Sequence, residues 1–142
     1  RNGSCDSALV GGKIPYWQEI TGTGWGQRTA DPTPFSGVGY FFPPSVADAE
    51  LGQTIDLTNY RSAIDSGVLK FRFTGYVLSY VQSPADESNI IIAFSDSTTT
   101  LRTYSFGPYN QTAAWLKVDS LLTTPVGTRA VNIRLHSVRK AG

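Results

Sequence analysis

The fold class is decided by the stretch Leu69-Lys70-Phe71-Arg72-Phe73-Thr74, in which apolar and polar side chains alternate strictly. A period of two is typical of a β-strand that has one buried face and one solvated face. The sequence Val-Asn-Ile-Arg-Leu-His at 131–136 repeats this pattern. The run Ile90-Ile91-Ile92-Ala93-Phe94 is apolar throughout, which predicts a central strand that is covered on both sides.

Weaker patterns of the same kind predict the rest of the strands, and clusters of Gly, Pro, Asn and Asp separate them. These strands lie at 14–21, 37–42, 49–57, 101–106 and 115–120. One short helical turn is predicted at 58–66, with Thr58 as its N-cap and Gly67 at its end. About eight strands with so little helix predict an all-β fold, a two-sheet antiparallel jelly-roll sandwich in which residues 1–142 form a single domain.

The composition agrees with a turn-rich β protein, because only 16% of residues are charged while Gly 14 and Pro 8 are plentiful. The net charge of +1 gives no general electrostatic reason to expect nucleic acid or an anionic membrane as a partner. Residues 1–96 carry six basic and ten acidic side chains, whereas 97–142 carry six basic and one acidic. This polarity is explained either by a solvated basic face or by head-to-tail association of chains.

Catalytic equipment is not evident in the sequence. His136 is the single imidazole and lies on the polar side of a predicted strand, while Cys5 has no His nearby in sequence. Cys5 is either a small buried residue or a thiol that pairs with another chain. No zinc spacing, phosphate loop or nucleophile elbow occurs, and no apolar run reaches the 18 or more residues of a membrane span. We therefore expect neither an enzyme nor a transmembrane protein.

Two sequons, Asn2-Gly3-Ser4 and Asn110-Gln111-Thr112, make Asn2 and Asn110 candidates for glycosylation. The chain begins with Arg1 instead of Met, which suggests a processed product. Together with the single cysteine, these features favour an extracellular or cell-surface location.

A series of short motifs, taken in order, resembles the galactose-binding-domain-like superfamily, to which carbohydrate-binding modules of exported proteins belong. The motifs are Asn2-Gly3-Ser4-Cys5-Asp6, Ile14-Pro15-Tyr16-Trp17, Gly22-Thr23-Gly24-Trp25, Phe35-Ser36-Gly37, Leu51-Gly52-Gln53-Thr54-Ile55-Asp56-Leu57, Trp115, Pro125-Val126-Gly127-Thr128-Arg129 and Val131-Asn132-Ile133-Arg134-Leu135. The resemblance implies a non-catalytic module that binds carbohydrate or serves cell-surface adhesion, with a glycan or cell-surface polymer as its partner.

The resemblance also implies a structural calcium ion, which Asp6 would hold together with an Asp of a closing strand. That strand is missing from a sequence that stops at Lys140-Ala141-Gly142. A sandwich without it would leave a ladder of unpaired backbone groups. Three alternatives stay open for the missing strand: the polypeptide continues past Gly142, the sheet tolerates the gap, or a neighbouring chain donates a strand. The third favours an alternative function by self-association, as a structural subunit of an extracellular filament, sheath or coat.

Sugar-binding proteins stack aromatic rings on the C–H faces of pyranoses, so exposed aromatic residues are the candidate ligand contacts. Those near predicted turns or strand ends are Trp25, Tyr40, Tyr76, Tyr80 and Tyr109. The spacing of Tyr76 and Tyr80 places both on one face of a predicted strand, and Gly107–Asn110 resembles a turn that displays Tyr109. Trp17 and Trp115 stand at positions that the resemblance assigns to strands, which implies core positions for both.

Overall fold

A computed structural model describes residues 3–141 and confirms an all-β fold with one short helical turn. In the described residues the strands are β1 (Gln18–Thr21), β2 (Gly26–Arg28), β3 (Tyr40–Phe42), β4 (Asp48–Asp56), β5 (Lys70–Val77), β6 (Glu87–Ser95), β7 (Thr100–Tyr109), β8 (Leu116–Thr123) and β9 (Ala130–Val138). A 3₁₀ turn, Thr58–Tyr60, leads into helix α1, Arg61–Asp65.

One layer is a five-stranded antiparallel sheet in the order β1-β4-β9-β6-β7. Strand β9 lies at its centre and pairs with β4 on one side and with β6 on the other over its whole length. The unpaired ladder that the resemblance implies does not lie beside β9, because both edges of this strand are hydrogen-bonded. The open edges of the described sheet belong instead to β1 and β7.

The opposite layer consists of two separate two-stranded ribbons, β2–β3 and β5–β8. The alternation in β5 has the predicted effect, since Phe71 and Phe73 are half-buried while Arg72 and Thr74 are exposed. The ring of Phe71 meets that of Phe94 edge-on, with 5.7 Å between centroids. The two layers therefore pack face to face, as a sandwich requires.

The apolar interior has two clusters that the same sheet connects. The larger one lies under β5–β8 and includes Ile92, Phe94 and Val131, all with no exposed surface. The smaller one lies under β2–β3 and consists of Cys5, Ile14, Trp25, Ala49 and Leu51. The side chain of Leu135 packs against both clusters. Cys5 thus fills the role of a small buried residue, and burial, with a smaller contribution from the charge of Asp6, raises its pKa to about 11.

Two local predictions need correction. Strand β6 is central and its inner residues are buried, but Ile91 and Ala93 on the outer side are only half-buried, because no further layer of the described residues covers that face. Thr58 does not cap the helical turn with its side chain. Instead, Asp56 Oδ1 accepts a hydrogen bond from the backbone N–H of Thr58 at 2.8 Å.

Three of the six basic residues of 97–142 pair with acids of 1–96 within the same chain. The N–O distances of these ion pairs are 2.7 Å for Arg129 with Asp65, 3.0 Å for Arg134 with Glu50 and 3.0 Å for Lys140 with Glu87, and His136 Nε2 lies 2.9 Å from Asp48 Oδ2. The charge polarity along the sequence is therefore compensated in part inside the folded chain, which weakens its use as an argument for head-to-tail association.

Candidate functional site

A cleft of about 390 Å³ lies beside β1, at the open edge of the five-stranded sheet. Its volume falls within the range of about 300–1,000 Å³ that is usual for small-molecule sites. The cleft is lined by Lys13, Ile14, Trp17, Gln18, Glu19, Ile20, Trp25 and Leu51. It combines aromatic and aliphatic walls with a carboxylate and an ammonium group.

The carboxylate of Glu19 is held by three donors. Its Oε1 atom accepts hydrogen bonds from the backbone N–H groups of Gly24 at 2.7 Å and of Trp25 at 2.9 Å, while Oε2 accepts from Lys13 Nζ. The bond from Lys13, followed by those from the backbone, keeps the pKa of Glu19 below its ordinary value. The group is therefore ionised and fixed in position at neutral pH.

Two tryptophans form the aromatic part of the cleft. Trp17 is half-buried, and its ring packs on Phe41 with 4.9 Å between centroids. Trp25 is only 4% exposed and belongs to the smaller core cluster. The expectation that Trp25 displays its ring to solvent is wrong, although the residue does line the cleft. Its indole N–H is buried and has no hydrogen-bond acceptor among the described residues.

The residue before Trp17 has an unusual backbone. Tyr16 has φ of +68°, a conformation that non-glycine residues rarely adopt, and its side chain is 70% exposed. The buried amide of Gln53 donates a hydrogen bond to the Tyr16 carbonyl at 3.1 Å, which helps to hold this conformation. Strain of this kind is concentrated at functional sites. Sequence reasoning missed Tyr16 and the cleft role of Trp17, although both stand in one of the motifs of the resemblance.

Two predicted contacts, Tyr40 and Tyr76, lie instead on the outer side of the ribbon layer. Tyr40 meets Trp115 edge-on at 5.4 Å, and Tyr76 stacks on Phe35 at 3.5 Å with 15° between the ring planes. We call Phe35, Tyr40, Tyr76 and Trp115 the aromatic strip. Trp115 is half-buried. Phe35 lies outside every predicted strand, so no periodic pattern identified it as a candidate contact.

The other predicted contacts are scattered. Tyr109 is the last residue of β7 and packs against the larger core, so the expected turn that displays it is wrong. Tyr80 is 64% exposed but lies in the loop after β5, which ends at Val77, so it does not share a strand face with Tyr76. Asn110 is exposed, as a glycosylation site requires, and Asn2 lies outside the described residues.

Asp6 does not present a calcium site. The Ser4 hydroxyl and the backbone N–H of Val38 lower its pKa, and the distance from Val38 N to Asp6 Oδ1 is 2.8 Å. A calcium ion needs six to eight oxygen ligands, whereas the recorded partners of Asp6 are hydrogen-bond donors. Within residues 3–141, no group of three or more His, Cys, Asp or Glu side chains comes together as metal ligands would. These residues do not fit the ion, and Asp6 anchors the loop at 37–39 instead.

No protein-family model matches this chain, and no curated protein matches it. Among the described helices, none has the length and apolar character needed to cross a membrane. Any statement about function therefore depends on the geometry of the cleft and of the ribbon layer.

Proposed function

We propose that this protein is a non-catalytic, extracellular carbohydrate-binding module whose cleft beside β1 holds one sugar unit. The observation that carries the proposal is the placement of the Trp17 ring beside the fixed carboxylate of Glu19 in one concave site. A pyranose has an apolar C–H face and a rim of hydroxyl groups. Trp17 suits the first, and the Glu19 carboxylate suits the second.

The charges of the cleft favour a neutral sugar. Lys13 and Glu19 form an ion pair, so their charges cancel locally. Glu19 is also the one carboxylate among the described lining residues, whereas glycoside hydrolysis uses two that face each other about 5–10 Å apart. Binding without hydrolysis is the simpler use of this site.

The test is a glycan screen followed by titration calorimetry with the best neutral ligand. Trp17→Ala should weaken binding by about tenfold or more, as expected for an aromatic anchor. Tyr60→Ala removes a 59% exposed ring elsewhere and should change nothing. Because Trp17 also packs on Phe41, a thermal unfolding curve must show that the variant is folded.

A second readout does not depend on any substitution. In ¹H–¹⁵N spectra, the Gly24 amide and the Trp25 indole N–H should shift when the sugar is added, because both residues adjoin Glu19 or line the cleft. The proposal fails if no neutral glycan binds, or if one binds while these resonances and the affinity of Trp17→Ala stay unchanged.

A structural subunit of an extracellular assembly is the second candidate function. It is favoured by β7, a ten-residue strand that pairs only with β6 in the described sheet. A long open edge is a template for pairing with another chain. Light scattering over a range of concentrations tests this function, since a monomer at the highest concentration and at every salt level would contradict it.

A further inference from the structure

The outer face of the β5–β8 ribbon carries a concentration of positive charge. Because side chains alternate along a strand, Lys70, Arg72 and Tyr76 of β5 share this face with Lys117 and Asp119 of β8. The register pairs Tyr76 directly with Lys117, and Trp115, just before β8, meets Tyr40 of β3 edge-on. The aromatic strip thus borders the charged residues.

Asp119 binds two cations at once. Arg72 Nε and Nη2 donate to its two oxygens at 2.9 and 2.7 Å, and Lys117 Nζ lies 3.0 Å from Oδ2. These two partners, Arg72 foremost, keep the pKa of Asp119 well below its ordinary value. The triad keeps one positive charge beyond neutrality, and the exposed Lys70 adds a second.

The β2–β3 ribbon adds a further cation to the same side of the layer. The guanidinium carbon of Arg28 lies 3.5 Å from the centroid of the Phe42 ring, and Arg28 also contacts Tyr40. Asp31 is the acid whose charge reaches Tyr40 from the adjoining loop. Cations therefore outnumber acids along the face, and Arg28 and Lys117 adjoin its aromatic rings.

The rings of the aromatic strip are held in place before any ligand arrives. The Trp115 indole N–H donates to the Thr33 carbonyl at 3.0 Å, and the Tyr40 hydroxyl donates to the Ala30 carbonyl at 3.0 Å. Phe35, on the same loop, keeps about half of its surface exposed while it stacks on Tyr76. A rigid aromatic surface loses little entropy on binding.

We propose that this face, made of the aromatic strip with Arg28, Lys70, Arg72, Lys117 and Asp119, is a second binding site, and that its ligand is an acidic polysaccharide. Ring faces stack on sugar C–H groups, and the cations contact carboxylate or sulfate groups. The net charge of +1 gives no general electrostatic attraction for the polyphosphate backbone of a nucleic acid. This site is separate from the cleft, and its existence does not depend on the function proposed there.

The experiment compares a polyuronate with the same polymer after complete methyl esterification, which removes charge and keeps the sugar. Calorimetry or affinity electrophoresis should show that esterification weakens binding to the wild-type protein by at least about tenfold, and that added salt weakens binding to the acidic form. A sulfated polysaccharide in a parallel arm shows whether carboxylate or sulfate is preferred, and stronger binding to either acidic polymer supports the proposal.

Variants locate the binding on the face. Lys117→Gln leaves the Arg72–Asp119 pair intact, and the double variant Lys70→Gln, Lys117→Gln should weaken polyuronate binding by about tenfold. Phe35→Ala should weaken binding to the polyuronate by about fivefold. Arg61→Gln is the matched control on α1, because it removes one exposed positive charge away from the face.

Three results would overturn the proposal. The esterified polymer could bind as well as the acid form, Arg61→Gln could weaken binding as much as Lys117→Gln, or a single-stranded oligonucleotide of equal charge could bind more tightly than the polyuronate. The last result would assign the face to nucleic acid. Trp17 lines the cleft and is not part of this face, so a folded Trp17→Ala variant should leave polyuronate binding unchanged, and the failure of one site is distinguishable from the failure of the other.

Discussion

Replacing Phe94 by Ala should reduce the free energy of unfolding by about 4–5 kcal/mol. The Phe94 side chain has no exposed surface, and its ring meets Phe71 and Tyr104 edge-on at 5.7 and 6.1 Å. A buried Phe→Ala change costs about 3–5 kcal/mol, and each aromatic pair adds about 0.5–1.5 kcal/mol. Both contacts place Phe94 in the upper part of that range. For a chain of this size, the melting temperature should fall by about 10–15 °C.

The assay is urea unfolding, followed both by circular dichroism and by tryptophan fluorescence. Trp25 lies in the smaller cluster, so its emission reports on a region that Phe94 does not touch. Because Leu135 packs against both clusters, both signals should shift to the same lower midpoint with unchanged slope. Leu121→Ala, at a 61% exposed position, should cost less than about 0.5 kcal/mol. A loss below about 2 kcal/mol for Phe94→Ala, or a fluorescence midpoint that stays in place, would refute the reasoning.

Three further predictions concern acid, backbone conformation and thiol chemistry. Hydrogen bonds from nearby backbone N–H groups lower the pKa of Asp96 from 3.8 to about 2, and Arg72 and Lys117 lower the pKa of Asp119. Both ionised carboxylates therefore stabilise the fold above about pH 4, and this stabilisation is lost as the pH falls towards 2. Measuring the melting temperature over this pH range tests the prediction. Gly37→Ala should destabilise the protein more than Gly11→Ala in thermal unfolding, because both have positive φ but only the Gly37 methyl would meet the carboxylate of Asp6. Cys5, with a pKa of about 11, should react with a thiol reagent at pH 8 much more slowly in the folded protein than in urea; equal rates would contradict its burial.

Strand periodicity is visible in the sequence because it depends on local alternation. The pattern at 69–74 predicted β5, including which of its residues face the core, and the run at 90–94 lies within β6. Strand β2 gave no such signal, because Gly26-Gln27-Arg28 is short and polar and becomes a strand only through its pairing with β3.

The candidate sites were harder to predict because they depend on contacts between distant residues. The exposure of Trp25 is decided by Cys5, Ile14 and Leu51, which surround it only in the folded chain. Likewise, Phe35 lies in the loop at 29–39 and Tyr76 lies in β5, and no spacing in the sequence predicts that their rings stack. Composition showed that aromatic rings are available, but only tertiary structure shows which of them meet.

The central position of β9 has a consequence for the synthesis of this chain. Strand β9 pairs with both β4 and β6, and its residue Val138 pairs with Asp48. The ribosome synthesises this shared neighbour after every other described strand. Until residue 138 has left the exit tunnel, β4 and β6 each have an unpaired edge, a state that favours aggregation and chaperone binding. Folding should therefore begin late and proceed slowly, as is usual when contacts join distant parts of a chain.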